Sequence, residues 1–268
     1  MPLPTFVIVG AQKSGTTTLH DLLGQHPHVW VSDPKELHYF DKYHARGIDW
    51  YAEQFRPGRM EVAWGESTPF YLYKDRARQS MAEALESTVF IAILREPVSR
   101  AYSQYWFARS KNVEQLSTFA EAIAAEPDRL AAKGDGQPAK GSYLDRGRYY
   151  RQLVDLEERV GRHRLMVHLA EDLRAEPKRV LQDTCRFVGV TSDFVEQIEI
   201  RERNTFADRT VNSEKGLADA DLLRRSKTVP ADAYPAIDPS LQAELRARFR
   251  EDNERLADWL GRDLSAWT

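Results

Sequence analysis

The chain predicts an α/β fold: a central parallel sheet flanked by helices, in a single domain over residues 1–268. Three observations carry this. Phe6-Val7-Ile8-Val9 is a short apolar, β-branched run suited to a buried central strand. It feeds a glycine-bounded loop, Gly10 to Gly15, and then the helical apolar spacing of Leu19, Leu22 and Leu23. Thr88 to Leu94 (TVFIAIL) is a continuous apolar run of the kind found in parallel sheets buried on both faces.

The first of these segments is also the first candidate site. Glycines let backbone N–H groups converge, and the first turn of a helix adds free donors and partial positive charge. Lys13 adds a full charge, and Ser14, Thr16 and Thr17 add hydroxyls. The segment reads as a phosphate cradle. It departs from the usual nucleotide loop GxxxxGK[ST], in which the lysine follows the second glycine. Here Thr16 holds that position, and the cation sits inside the loop.

The remaining elements follow in order. His26-Pro27-His28 ends the first helix, because proline disfavours helical geometry in the residue before it. Val29-Trp30-Val31 reads as a short strand. Asp33 to Asp41 (DPKELHYFD) then gathers a lysine, two carboxylates and a histidine beside an aromatic pair. Glu36 and His38 share a face if this segment is extended. A carboxylate beside an imidazole suits a general base and its partner, although a solvated charged loop has the same composition. Gly47 to Met60 reads as a short helix closed by Pro57-Gly58, and Glu66-Ser67-Thr68 as a loop able to face the same cleft.

A helix is expected from about Asp75 to Glu86. The strand ending at Leu94 gives way to Arg95 and a helix carrying Ser103, with Arg100 read as no more than a surface charge. Ligands bind outside the carboxyl ends of parallel strands, so Lys13/Thr16/Thr17 and Arg95/Ser103 form two adjacent anion-binding sets. Residues 126–147, rich in Pro, Gly, Lys and Asp, read as a long irregular loop of the functional or mobile kind, with Trp106, Arg109 and Lys111 upstream. Tyr149, Leu153, Leu156 and Val160 space as one helix face. Arg164 to Leu169 reads as a strand, and Pro177 to Val188 as a helix. A polar stretch follows from 204, and a helix from about Pro239 to Gly261 closes the chain.

Composition excludes several classes. The net charge of −3 does not mark nucleic acid or an anionic membrane as partner. Cys185 is the only cysteine, so no intrachain disulfide forms, and its apolar neighbours imply a buried thiol. No apolar run reaches the ~18 residues of a membrane span. The strand-like run begins within a few residues of Met1, which gives the expectation of a cytoplasmic protein.

The motifs FVIVGAQKSGTTTL, PKELHYFD, GESTPFY and TVFIAILREPVSRAYSQY together resemble the sulfotransferases that use 3′-phosphoadenosine 5′-phosphosulfate (PAPS). The likeness is to the heparan sulfate N- and O-sulfotransferase branch and its bacterial relatives, and it spans roughly residues 5 to 190. It implies a P-loop-like three-layer fold. It further implies that Lys13, Ser14, Gly15, Thr16 and Thr17 hold the 5′-phosphosulfate, and that Arg95 and Ser103 hold the 3′-phosphate. Lys13 would stabilise the leaving group and Glu36 would act as base, with His38 and Asp41 facing the acceptor. Family members often carry a lysine where this chain has Ser67. The family's C-terminal cofactor loop is only partly matched by Lys215-Gly216, so Arg224, Arg225 or Lys227 are substitutes. The acceptor would be a hydroxyl or amine of a glycan, glycolipid or small molecule, with no metal required. A kinase-like phosphotransferase and a non-catalytic nucleotide-binding module are the alternatives.

Overall fold

The computed structural model describes residues 2–132, 141–200 and 235–268. The chain divides into two compact units, Met1–Arg95 with Arg151–Arg201, and Glu96–Tyr150 with Glu202–Thr268.

The first unit is built on a five-stranded sheet, β1 (Phe6–Gly10), β2 (Val29–Val31), β3 (Ala63–Ser67), β4 (Val89–Leu94) and β5 (Leu165–Leu169). The strand order is β2-β3-β1-β4-β5, and every pairing is parallel. The β1 side chains are fully buried, as its apolar run predicts. Alternation sends Phe6 and Ile8 to one face. There they pack with Leu19, Leu22 and Leu23 of α1 (Thr16–Leu23), Leu173 of α8 (Ala170–Ala175), and Val180, Leu181 and Cys185 of α9 (Pro177–Phe187). Val7 and Val9 point to the other face and are equally buried. Burial pushes the Cys185 thiol up to about 11, which makes it a core side chain and not a nucleophile.

Helices α2 (Ile48–Ala52) and α3 (Asp75–Ala84) complete the first half of this unit. Helix α7 (Tyr149–Val160) buries Tyr149, Leu153, Leu156 and Val160, the stripe read from the sequence. Arg78 of α3 pairs with Asp155 of α7 and donates to the Leu72 carbonyl at 2.6 Å.

The second unit holds α4 (Pro97–Ser110), α5 (Phe119–Ala124), α6 (Glu126–Ala131) and α10 (Pro239–Leu260). Val98, Ala101 and Tyr105 of α4 pack with Phe119, Ile123, Tyr143, Leu245 and Phe249. The α4 N-terminus is capped by Glu96, whose carboxylate accepts from the Val98 and Ser99 amides at 3.0 and 2.7 Å, with Pro97 in the first turn.

Three expectations need correcting. Residues 126–147 open with a helix, α6, where Pro127 occupies a first-turn position that tolerates it. Glu66 and Ser67 lie in β3 rather than in a loop, because Gly65 pairs in register with Phe6 and carries the strand onward. Arg100 is fully buried, and its guanidinium bonds Gln104 Oε1 at 2.6 Å and the Tyr143 carbonyl. Among the described residues, no helix is long and apolar enough to cross a membrane.

Candidate active site

In the first unit, β1, β2, β3 and β4 all deliver their following residues to the carboxyl edge of the sheet. The strand order reverses around β1, since β2 and β3 lie to one side and β4 and β5 to the other. Such a switch point is where open parallel sheets bind ligands.

The loop after β1 has the geometry of an anion cradle. Lys13 and Gly15 both take positive φ, 71° and 101°. Gly15 is the N-cap of α1, no side chain caps that end, and no acidic residue sits in its first turn. Glycine is also required at position 10, where an added Cβ would lie 2.8 Å from Leu72 Cβ and 3.0 Å from the Pro69 carbonyl oxygen. Ser14 is buried, and its Oγ has no hydrogen-bond partner among the described residues. Thr16 is buried at the start of α1, with Thr17 beside it half-buried. Arg95, just past β4, donates from Nη1 to the Lys13 carbonyl at 3.4 Å. The two adjacent loops expected from the sequence therefore meet within this unit.

The segment after β2 carries the acceptor-side candidates. Glu36 Oε1 accepts from Lys35 Nζ at 3.1 Å, and its Oε2 lies 3.3 Å from His38 Nε2. The segment is not extended, as the spacing argument supposed: His38 takes φ 54°, ψ 28° and starts a π-helical turn over Tyr39–Tyr43. Its imidazole nevertheless reaches Glu36. The other ring nitrogen, Nδ1, lies 3.0 Å from Asp41 Oδ1, and the Asp41 side chain is wholly enclosed. Asp41 thus touches His38 rather than open space, while the Glu36 side chain is 44% exposed.

These contacts set the charge states. Burial works against ionised Glu36, but the His38 hydrogen bond and the Lys35 charge outweigh it and bring the carboxyl down to about 2. Burial also disfavours charged His38, but hydrogen bonds with Asp41 and Glu36 outweigh it and raise the imidazole to about 9. At neutral pH the site holds Glu36 as carboxylate and His38 as imidazolium. His20, on α1, goes the other way: burial, then the Lys35 charge, hold it down to about 4.

Ser67 ends β3 fully buried, with no partner for its Oγ among the described residues. Ser103 is buried on α4 in the second unit. In that unit Arg109 donates to the carbonyls of Glu114 and Gln115 at 3.2 and 3.0 Å, closing the turn after α4, and Trp106 packs against Tyr102 and Tyr105. Lys215, Gly216, Arg224, Arg225 and Lys227 lie outside the described residues, as do residues 133–140.

Sequence reasoning passed over two groups here. Lys35, read only as part of a charged cluster, bonds the candidate base. Glu66, read as a cleft-facing loop residue, is fully buried under that segment, where the Leu37 amide donates to it at 3.4 Å. The available signal was two tyrosines, Tyr51 and Tyr71, whose hydroxyls need a buried partner.

A family model described as Sulfotransferase domain matches residues 3–259. The chain belongs to this PAPS-dependent sulfotransferase family. Among solved structures, a sulfotransferase from Alicyclobacillus acidocaldarius is similar at 29% identity with TM-score 0.79, covering 100% of this chain and 99% of that one. A mouse sulfotransferase complexed with PAP shares the fold, with TM-score 0.59 and 15% identity over 93% of this chain and 83% of that one. Among curated relatives, the mouse bifunctional heparan sulfate N-deacetylase/N-sulfotransferase 1 is 29% identical over 98% of this chain and 30% of its own length. The membrane-associated sulfotransferase kil1 of Dictyostelium discoideum is 37% identical over 47% of this chain and 28% of its own. The chain spans about a third of the length of the curated relatives it matches. The sulfotransferase fold agrees with the parallel sheet flanked by helices.

Proposed function

We propose that this domain transfers a sulfuryl group from PAPS to a hydroxyl or amine of a glycan, glycolipid or small-molecule acceptor. The observation that carries this reading is the join of Arg95 to the Lys13 loop at the same sheet edge that presents Glu36 and His38. The residues present fit the cofactor: the uncapped N-terminus of α1 and the unpartnered, buried Ser14 Oγ are donors that a phosphate or sulfate oxygen would satisfy.

When bound, PAPS supplies the sulfuryl group and departs as the 3′,5′-bisphosphate. Lys13, Ser14, Gly15, Thr16 and Thr17 would hold its 5′ end, and Lys13 would offset the charge that grows on the leaving oxygen. Arg95 would hold the 3′-phosphate. The part given to Ser103 in holding that phosphate, and to Lys215-Gly216 in closing over the cofactor, rests on the family resemblance. Glu36 accepts the acceptor's proton. A carboxylate held down to about 2 is a weak base, and a weak base suffices. The attacking hydroxyl would become strongly acidic as its oxygen bonds to sulfur, so its proton would pass to Glu36 late and downhill. His38, kept cationic by Asp41, orients Glu36 and keeps it ionised until then. The part given to Ser67 on the acceptor side rests on the family resemblance, and no step would call for a metal. A glycan acceptor draws on the likeness to the heparan sulfate enzymes.

The test is sulfuryl transfer from radiolabelled PAPS to a panel of oligosaccharides, glycolipids and phenols. Label should reach an acceptor with the wild-type chain and not with Glu36→Ala, which still binds the bisphosphate. Equal transfer by both would refute the role of Glu36.

A further inference from the structure

Glu66 is the next-to-last residue of β3 and is fully buried. A carboxyl group in that position is costly unless its lone pairs are met. Four donors meet them here. The Tyr51 and Tyr71 hydroxyls each donate to Oε1 at 2.9 Å. The Thr68 hydroxyl donates to Oε2 at 2.5 Å, and the Leu37 amide donates to the same oxygen at 3.4 Å.

Two of these donors reach onward. Thr68 Oγ1 accepts from the His38 amide at 3.3 Å, and Tyr71 Oη accepts from the Phe40 amide at 3.4 Å. One carboxylate therefore anchors the backbone N–H groups of Leu37, His38 and Phe40, either directly or through one hydroxyl. These anchors bracket His38, whose positive φ is unfavourable for a residue with a Cβ. Something must hold that conformation, because it is what turns the imidazole back toward Glu36. A carboxylate is otherwise a poor way to fill a core, since apolar replacements of buried ionic groups are often neutral or stabilising.

We propose that Glu66 is the positioning residue of the acceptor-side pair: through Leu37, Thr68 and Tyr71 it fixes the backbone of residues 37–40 so that His38 and Glu36 meet. This rests on the assignment of Glu36 as the base. Glu66 touches neither acceptor nor cofactor, and it acts through the segment it holds.

The test follows the His38 imidazole by NMR titration of the full chain without ligand, in wild type, Glu66→Gln, Thr68→Val and Thr68→Ser. The charged groups acting on His38 are Glu36, Asp41 and Lys42. If Glu66 and Thr68 set the pair, Glu66→Gln and Thr68→Val lower the His38 midpoint by roughly one unit or more, a tenfold loss of proton affinity. Thr68→Ser, which keeps the hydroxyl, restores it. Binding of adenosine 3′,5′-bisphosphate, measured on the same samples, stays at the wild-type value. An unchanged His38 midpoint in both variants, with only thermal stability lowered, would overturn the proposal and leave Glu66 a core group. Should Glu66→Gln fail to fold, Thr68→Val and Tyr71→Phe, each removing one hydroxyl, decide the question. A wild-type chain that fails to bind the bisphosphate would sink the sulfotransferase reading while leaving the His38 result to judge this one.

Discussion

Arg95 Nη1 donates to the carbonyl oxygen of Lys13 at 3.4 Å, so the residues that follow β4 and β1 are tied across the sheet edge. These strands pair directly, Phe6 with Val89 through Ile8 with Ile91, and their register brings the two loops level. The bond does more than brace the loop. It sets the Arg95 guanidinium beside the Lys13 cradle, where the proposed 3′-phosphate site would lie.

The cradle depends on a backbone that only glycine adopts cheaply. At Gly15, φ is 101°, and an added Cβ would lie 3.2 Å from Leu173 Cδ2. Gly15→Ala should lower stability by about 1–2 kcal/mol and weaken bisphosphate binding together. Urea unfolding and calorimetry on the same preparation check both. Unchanged affinity would show that the loop tolerates another conformation.

Glu36→Gln keeps the shape of the side chain and removes its charge. Bisphosphate affinity should match the wild type, because the cradle is untouched, while the transfer rate falls by about 100-fold or more, the lower end of what a general base contributes. The same variant should bring the His38 midpoint down from about 9, since Glu36 is one of the two carboxylates holding it there. Single-turnover rates and NMR titration provide the two readings.

Opposite shifts on Glu36 and His38 give a pH signature. His38, raised to about 9, contributes stability that is complete below the unfolded value near 6.5 and lost as pH rises through 9. Glu36, lowered to about 2, contributes stability present above its unfolded value near 4.5 and lost as pH falls toward 2. The thermal midpoint of wild type minus that of His38→Gln should therefore be largest between about pH 4.5 and 6.5, and shrink through pH 9. His20, held down to about 4, has the opposite sign, with stability lost as pH falls from 6.5, but it is common to both proteins and cancels in the difference.

Much of this was legible in the sequence because it depends on local pattern. The apolar runs at Phe6 and Thr88 became β1 and β4, Val29–Val31 is the short strand β2, and the helix expected from about Pro239 to Gly261 is α10. The glycine frame of the cradle could be read for the same reason, since chain neighbours build it. What escaped depends on tertiary partners. Arg100 reads as a surface charge until Gln104 and the Tyr143 carbonyl enclose it. Glu66 reads as a loop carboxylate until Tyr51, Tyr71 and Leu37 converge on it. The His38–Glu36 contact was expected from an extended segment, and it arises instead from a left-handed turn.

The central claim is that this sheet edge holds a nucleotide by its 3′-phosphate as well as its 5′ end, and calorimetric titration with adenosine 3′,5′-bisphosphate beside ATP and ADP tests it most directly. Micromolar binding of the bisphosphate, far tighter than ATP and lost in Arg95→Ala, is the predicted result. Preference for ATP, or affinity indifferent to the 3′-phosphate and to Arg95, would contradict it.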